Sequence, residues 1–415
     1  MKFSRWSLFV LLAALLCLAL PAAAQQEQPA EALSDQMNRL EAATVRLRAL
    51  EPLFEITRAF PTRDETIAYL TATLDRDLPP DYFARARDFY SALNLLPPEI
   101  DIRATLLDLL GSQVAGFYDP DTRTMNVIPM TGDAIGARMG LLEQTIYVHE
   151  YVHVLQDMHF DLNALLPDEV SQTHPDRTLA ITSLVEGDAT AVMQVYLQRA
   201  VEANPVAALG LLTQSAAAGA LTMPEGIPEI LTRELLFPYE EGLTFVSAVY
   251  EAGGWEAVNA AFADPPRVSA QILRPALYLN GVQPVEIAPA PITPGAGWEV
   301  IWNTTLGEFY LREHVRSVAV PAADAARAAR GWAGDSFQMW RSADGQRAFY
   351  LTLLFESPSE AEEFVTIYGE ATGAFAEDCA PLSGQVMCAD YAADRVVIAA
   401  APTAAMAADL LRNGG

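Results

Sequence analysis

An apolar segment from Leu141 to Met158 carries His149-Glu150-Tyr151-Val152-His153, an H-E-x-x-H pattern, and its length and composition predict a single helix. Ile146, Tyr147, Val148, Tyr151, Val152, Val154 and Leu155 surround the pattern on nearly every side, so the helix has to be buried. Two imidazoles and a carboxylate taken out of water cost several kcal/mol unless something pairs with them, so any fold that contains this helix must supply their partners. Histidines four residues apart lie on one helical face and can share a metal ion. Glu150 is turned by about 100° from His149, where it can act on a water rather than bind the ion. The alternative is a pair of core histidines satisfied by hydrogen bonds. With only five histidines in the chain, two at this spacing with glutamate between them favour the metal.

A catalytic zinc takes three protein ligands and leaves one position open. Glu186 is the leading third ligand. It lies in Leu184-Val185-Glu186-Gly187-Asp188-Ala189-Thr190, on a second buried helix predicted from about Thr178 to Leu197, and a carboxylate there needs a partner. His159, ten residues after His149, competes, because that is the third-histidine spacing of H-E-x-x-H-x-x-G-x-x-H. Position 156 is Gln156 instead of glycine, and on an unbroken helix His159 stands about 120° and 9 Å from His153. Asp157 is an alternative orienting acceptor for an imidazole. For the oxyanion, Tyr239, read as part of an aromatic and acidic loop, is a candidate donor beside a plain core tyrosine, with His174 as a rival.

The first residues read as a leader. Lys2 and Arg5 precede the apolar run Trp6 to Leu20, and Ala22-Ala23-Ala24 offers a cleavage site, so residues 1–24 are expected to be a signal peptide and the chain exported, to periplasm, cell surface or medium. Retention as a membrane anchor is the alternative. The formal charge of -27 becomes -29 without the leader, which disfavours nucleic acid as a partner. Residues 204–223 carry no charge, but Pro205 and Pro224 bracket them and Thr213, Gln214 and Ser215 interrupt them, so a buried helix is expected there and no stable membrane span in the mature chain. Cys379 and Cys388 remain after cleavage, and an even count in an exported chain predicts a disulfide.

The expected class is α+β, in two domains. Residues 25–283 form a mainly helical catalytic domain with a hairpin from Val114–Tyr118 and Thr124–Ile128 around Asp119-Pro120-Asp121. A proline-rich linker follows at 284–297. Residues 298–415 form a small α+β domain, with helices at Ala322–Ala329, Ser359–Gly373 and Ala404–Leu411 and strands at Phe337–Arg341, Arg347–Phe355 and Val396–Ala400.

With its downstream helical glutamate, the H-E-x-x-H pattern resembles the gluzincin branch of zinc metallopeptidases. Gln113 through Pro120, His149 through Leu162, Leu184 through Thr190, Phe237 through Gly242 and Gly331 through Asp335 are similar to an uncharacterised bacterial family of exported H-E-x-x-H proteins. The resemblance implies a zincin-like catalytic domain, with zinc on His149, His153 and Glu186 and Glu150 as the general base. Thr190 stands where thermolysin-like members carry an acidic residue four positions after the glutamate ligand, which leaves the orienting group open. The expected activity is hydrolysis of a peptide or protein substrate. The alternatives are a zinc hydrolase of a non-peptide amide or ester, and a non-catalytic zinc-containing binding protein of the cell envelope. Oligomeric state is not legible.

Overall fold

The computed structural model describes residues 32–130, 134–205, 226–376 and 379–414. The leader at 1–24 and nearly all of the uncharged stretch 204–223 fall outside them. In chain order the elements are α1 (Leu33–Arg48), β1 (Thr57–Ala59), α2 (Arg63–Asp77), α3 (Tyr82–Ala92), α4 (Ile102–Gln113), β2 (Gly116–Asp119), β3 (Thr124–Val127), α5 (Leu141–Phe160), α6 (Leu162–Leu165), α7 (Asp168–Thr173) and α8 (Pro175–Ala203). They continue with α9 (Glu229–Ala263), α10 (Ser269–Leu273), α11 (Pro275–Leu279), β4 (Trp298–Thr304), α12 (Gly307–Ser317), α13 (Ala322–Ala329), β5 (Trp332–Ser342), β6 (Arg347–Phe355), α14 (Pro358–Thr372), β7 (Ala380–Leu382), β8 (Gln385–Ala392), β9 (Arg395–Ala401) and α15 (Ala404–Gly414). The class is mixed α+β. No helix among the described residues is long and apolar enough to cross a membrane.

Two compact units divide the chain. Of the described residues, one takes 32–78, 103–130, 134–167, 181–205 and 226–265, and the other 79–102, 168–180, 266–376 and 379–414. This division differs from the contiguous one expected from the proline-rich segment at 284–297, because 79–102 and 168–180 join the C-terminal residues. Composition marks a linker by its lack of periodic elements, and it carries no information about which distant helices pack together.

In the first unit the expected hairpin forms, with Gly116 opposite Val127 and Asp119 opposite Thr124. Its turn is held by Asp119, whose carboxylate accepts from Asp121 N (3.0 Å) and Thr122 Oγ1 (2.8 Å). A third strand, β1, pairs in parallel with β3 and gives the order β1-β3-β2. The sequence of residues 31–110 reads as helical, and three residues, Thr57-Arg58-Ala59, are too few to show an alternation. Their strand exists through its partner.

Helix α5 starts where Glu143 accepts from Gly140 N (2.9 Å) and stops at Asp161, whose left-handed φ of 53° ends the helical path. It packs on α1, β2 and β3, and Leu40, Met125, Val127, Ile146, Val148 and Val152 meet in one core cluster. Burial removes essentially all solvent from Ile146, Val148 and Val152, at about 1.5–3 kcal/mol for each such side chain.

Helices α8 and α9 touch backbone to backbone. A Cβ on Gly187 would lie 2.2 Å from Gly242 O, and one on Gly242 would lie 2.2 Å from Ser183 O. Only glycine at both positions permits this approach. Pro238 and Tyr239, expected in a loop, lie inside α9. An interior proline removes a backbone donor at a cost of about 3 kcal/mol, which the burial of Phe237, Tyr239, Phe245, Val246 and Val249 along the same helix offsets.

The second unit carries a six-stranded sheet in the order β4-β5-β6-β9-β8-β7, antiparallel throughout. The helices and strands expected at 322–329, 347–355, 359–373, 396–400 and 404–411 form within a few residues of those bounds, and the strand at 337–341 extends back to Trp332. Strands β4, β7 and β8 and helix α12 add to that reading. Cys379 and Cys388 form a disulfide across the β7–β8 hairpin.

Candidate metal centre

Helix α5 delivers His149 and His153 one turn apart, and α8 delivers Glu186. Ligand atoms of these three residues lie within 4.8 Å of one another, and all three side chains are buried. Glu186 Oε2 is 3.0 Å from His149 Nε2 and 3.4 Å from His153 Nε2. Two features bring the helices to this distance. Gln156 on α5 donates to the Val185 carbonyl on α8 (3.0 Å), and the Gly187–Gly242 contact fixes α8 one residue past Glu186.

Burial and mutual contacts divide the charge unevenly among these residues. Burial, with His153 adding to it, lowers His149 to about 4, against the pull of Glu186. Burial also opposes charge on His153, but the Glu186 carboxylate, with help from Glu150 and Gln156, raises it to about 9. Glu186 itself resists the effect of burial and is held down at about 2 by the two histidines. Three donor atoms facing one another around a common point, one of them a carboxylate held ionised, fit a divalent ion of the zinc type. Among the described residues Glu150 Oε2, beside the cluster, has no hydrogen-bond partner, and neither has His149 Nδ1, the ring nitrogen that does not meet Glu186.

Glu150 is not a member of the three-residue group. Its carboxyl is pushed up to about 8, first by burial, with Glu186 adding to the shift and His153 opposing it. Strand β2 passes directly over it. A Cβ on Gly116 would sit 2.8 Å from both Glu150 Cγ and Oε1, so the glycine at the start of the strand makes room for the acid. Tyr239, on α9, packs its ring 6.2 Å from that of His149 and hydrogen bonds to Glu186. Burial, then Glu186 and Glu150, push its phenol well above the ordinary range, so it stays a neutral donor.

The alternative ligands go elsewhere. His159 remains on the unbroken helix and its Nε2 meets the Glu51 carbonyl (2.8 Å) at the surface. Asp157 does not orient an imidazole; it accepts from Tyr118 Oη (3.0 Å) and Leu162 N (3.2 Å). A one-residue step around the helix separates it from the position that does, and that position holds Gln156, whose Oε1 lies 2.9 Å from His153 Nδ1. His174, in the second unit, pairs its Nδ1 with Thr173 Oγ1 (2.7 Å). The contacts of Gln156, Asp188 and Arg48 were not anticipated. The acidity of Asp188 in an apolar helix was the one signal available for them.

Among known proteins, a domain-family model described as a domain of unknown function (DUF8575) matches residues 299–411. No curated protein and no solved structure matches the chain. The matched residues all belong to the second unit and include none of His149, Glu150, His153 or Glu186.

Proposed function

We propose that this chain is an exported zinc metallopeptidase of the gluzincin type. The observation that carries the reading is the convergence of His149, His153 and Glu186 on one point, with the buried acid Glu150 next to His149 in sequence and one of its oxygens without a partner. Export rests on the leader-like residues 1–24. When bound, zinc supplies Lewis acidity, polarising a carbonyl and acidifying water towards about pH 7.

The protein's own residues do the rest. Two neutral imidazoles and one carboxylate leave the ion a net positive charge. Glu150 takes the proton of the attacking water and returns it to the leaving amine. Strand β2, whose Gly116 backbone lies against Glu150, limits access of bulk water to the base. Tyr239, a neutral hydroxyl whose single proton goes to Glu186, would turn that proton from the carboxylate to the oxygen that becomes negative.

A scaffold role for the metal gives no use for an unpaired buried acid, which favours catalysis over the binding-protein alternative. The test is zinc content together with hydrolysis of a peptide library, a panel of non-peptide amides and esters being run beside it. Glu150→Gln should keep about one zinc per chain and lose roughly 10²–10⁴ in rate. Retention of full activity in that variant would remove Glu150 from the mechanism. Hydrolysis confined to the non-peptide panel would replace the peptidase reading.

A further inference from the structure

Gln156 sits on α5 with its side chain fully buried, and each of its amide atoms has a partner of fixed character. Its nitrogen faces the Val185 carbonyl at 3.0 Å and the Asp188 carboxylate at 2.8 Å. A carbonyl accepts only, and so does an ionised carboxylate, so the NH₂ group has to point towards them. The flipped amide would set its oxygen against two other acceptors. Its oxygen therefore points at His153 Nδ1, 2.9 Å away, and that ring nitrogen has to be the one carrying a proton. Nε2 of a neutral His153 is then bare. It faces Glu186 Oε2 at 3.4 Å, two acceptors across a gap that a metal ion or a proton fills.

Asp188 is in turn held. Arg48, the last residue of α1, reaches it through Nε at 2.8 Å, and both side chains are without solvent exposure. The guanidinium is fixed on its other sides by Asn259 Oδ1 (2.8 Å) and by the Trp255 ring, 4.4 Å from its centre. A carboxylate locked by a charged group is a strict acceptor, and this strictness passes through the amide to the imidazole.

We infer that Gln156 is a positioning residue that sets the tautomer of His153, with Arg48 and Asp188 fixing the sense of its amide. The consequence for metal affinity rests on the proposed zinc site, whereas the tautomer itself does not.

The experiment uses the full chain, with ¹⁵N-labelled histidine, as wild type, Gln156→Met and Gln156→Glu. On the chelator-treated proteins, long-range ¹H–¹⁵N correlation at alkaline pH reads which ring nitrogen of neutral His153 keeps its proton. Competition against a chromophoric chelator then reads the zinc dissociation constant. Wild type should show the Nδ1–H form. Gln156→Met, similar in size but without an acceptor of that strength, should shift towards Nε2–H and weaken zinc binding by about 10–100-fold. Gln156→Glu, as the neutral acid, keeps an acceptor for His153 and a donor for Asp188, and should recover most of the affinity.

An Nε2–H proton in wild type would overturn the inference, as would a folded Gln156→Met protein with unchanged tautomer and unchanged zinc affinity. Absence of zinc binding in a wild-type protein that shows Nδ1–H would overturn the metal-site reading and leave the tautomer assignment standing.

Discussion

In the second unit Asp335 is buried and accepts three hydrogen bonds, from Leu306 N (2.8 Å), Gly307 N (2.9 Å) and Trp332 Nε1 (2.9 Å). His314, equally buried, has a partner on each ring nitrogen, the Leu93 carbonyl and Tyr368 Oη, both at 2.7 Å. In the first unit His149 and Glu150 are as deeply buried, yet each keeps a polar atom without a partner, and the remaining lone pairs of the cluster face one another. Each pair is one carboxylic acid and one imidazole, and all four are buried. What differs is whether the protein itself completes the hydrogen bonds. Where it does, the polar group holds chain segments together; where it does not, as at His149 and Glu150, the function proposed above assigns the open positions to a ligand and a proton transfer.

The largest effect that would break this comparison is loss of the ion. Glu186→Ala should reduce zinc affinity by more than the ~10–100-fold typical of outer-shell changes, while His159→Ala should leave it unchanged. Metal content per chain after dialysis checks both, and loss confined to the His159 variant would move the third ligand to His159.

A smaller effect is expected where the site depends on backbone approach. Gly187→Ala places a methyl 2.2 Å from Gly242 O, where no side chain can yield. About 3 kcal/mol of destabilisation is expected in urea, at the upper end for overpacking, with zinc affinity falling as Glu186 is displaced.

Asp335→Ala sharpens the contrast from the other side. Its three donors lose their acceptor, for an expected cost of about 2–3 kcal/mol in unfolding, but zinc stoichiometry should stay that of wild type. A change in metal content would contradict the structural role assigned to Asp335.

The smallest effect concerns Asp176, which mixes the two cases. One of its oxygens accepts from Ser269 N (3.0 Å) and the other has no partner. Burial, with Asp335 and Glu308 adding to it against the Ser269 bonds, raises its pKa well above the ordinary value. The folded chain thus holds a proton that the unfolded chain has released. Stability from this group is complete below about pH 4, the unfolded value, and is lost as pH rises through the higher folded value. Asp176→Asn has no proton to lose, so its stability relative to wild type should grow with pH. Urea midpoints from about pH 4 to about pH 7 read the difference, and a constant gap would count against the raised pKa.

The sequence alone determined much of this protein. Periodicity is a local property, so the buried helix around His149 and His153, the hairpin at Gly116–Val127 and most of the C-terminal elements could be read from neighbours a few residues apart. That His149 and His153 share a face follows from the helical repeat, and Glu186 as their candidate companion from the cost of a lone carboxylate in an apolar helix. Other features depended on contacts between residues far apart in the chain. Strand β1 exists because β3 is beside it, and Tyr239 lies on a helix because burial outweighs its neighbouring proline. Gln156 orients His153 where Asp157 had seemed the alternative, because α8 places Val185 and Asp188 within reach of its amide. A hydrogen bond across roughly thirty residues leaves no period in the sequence, and only the packing of α5 against α8 decides which polar side chain it joins.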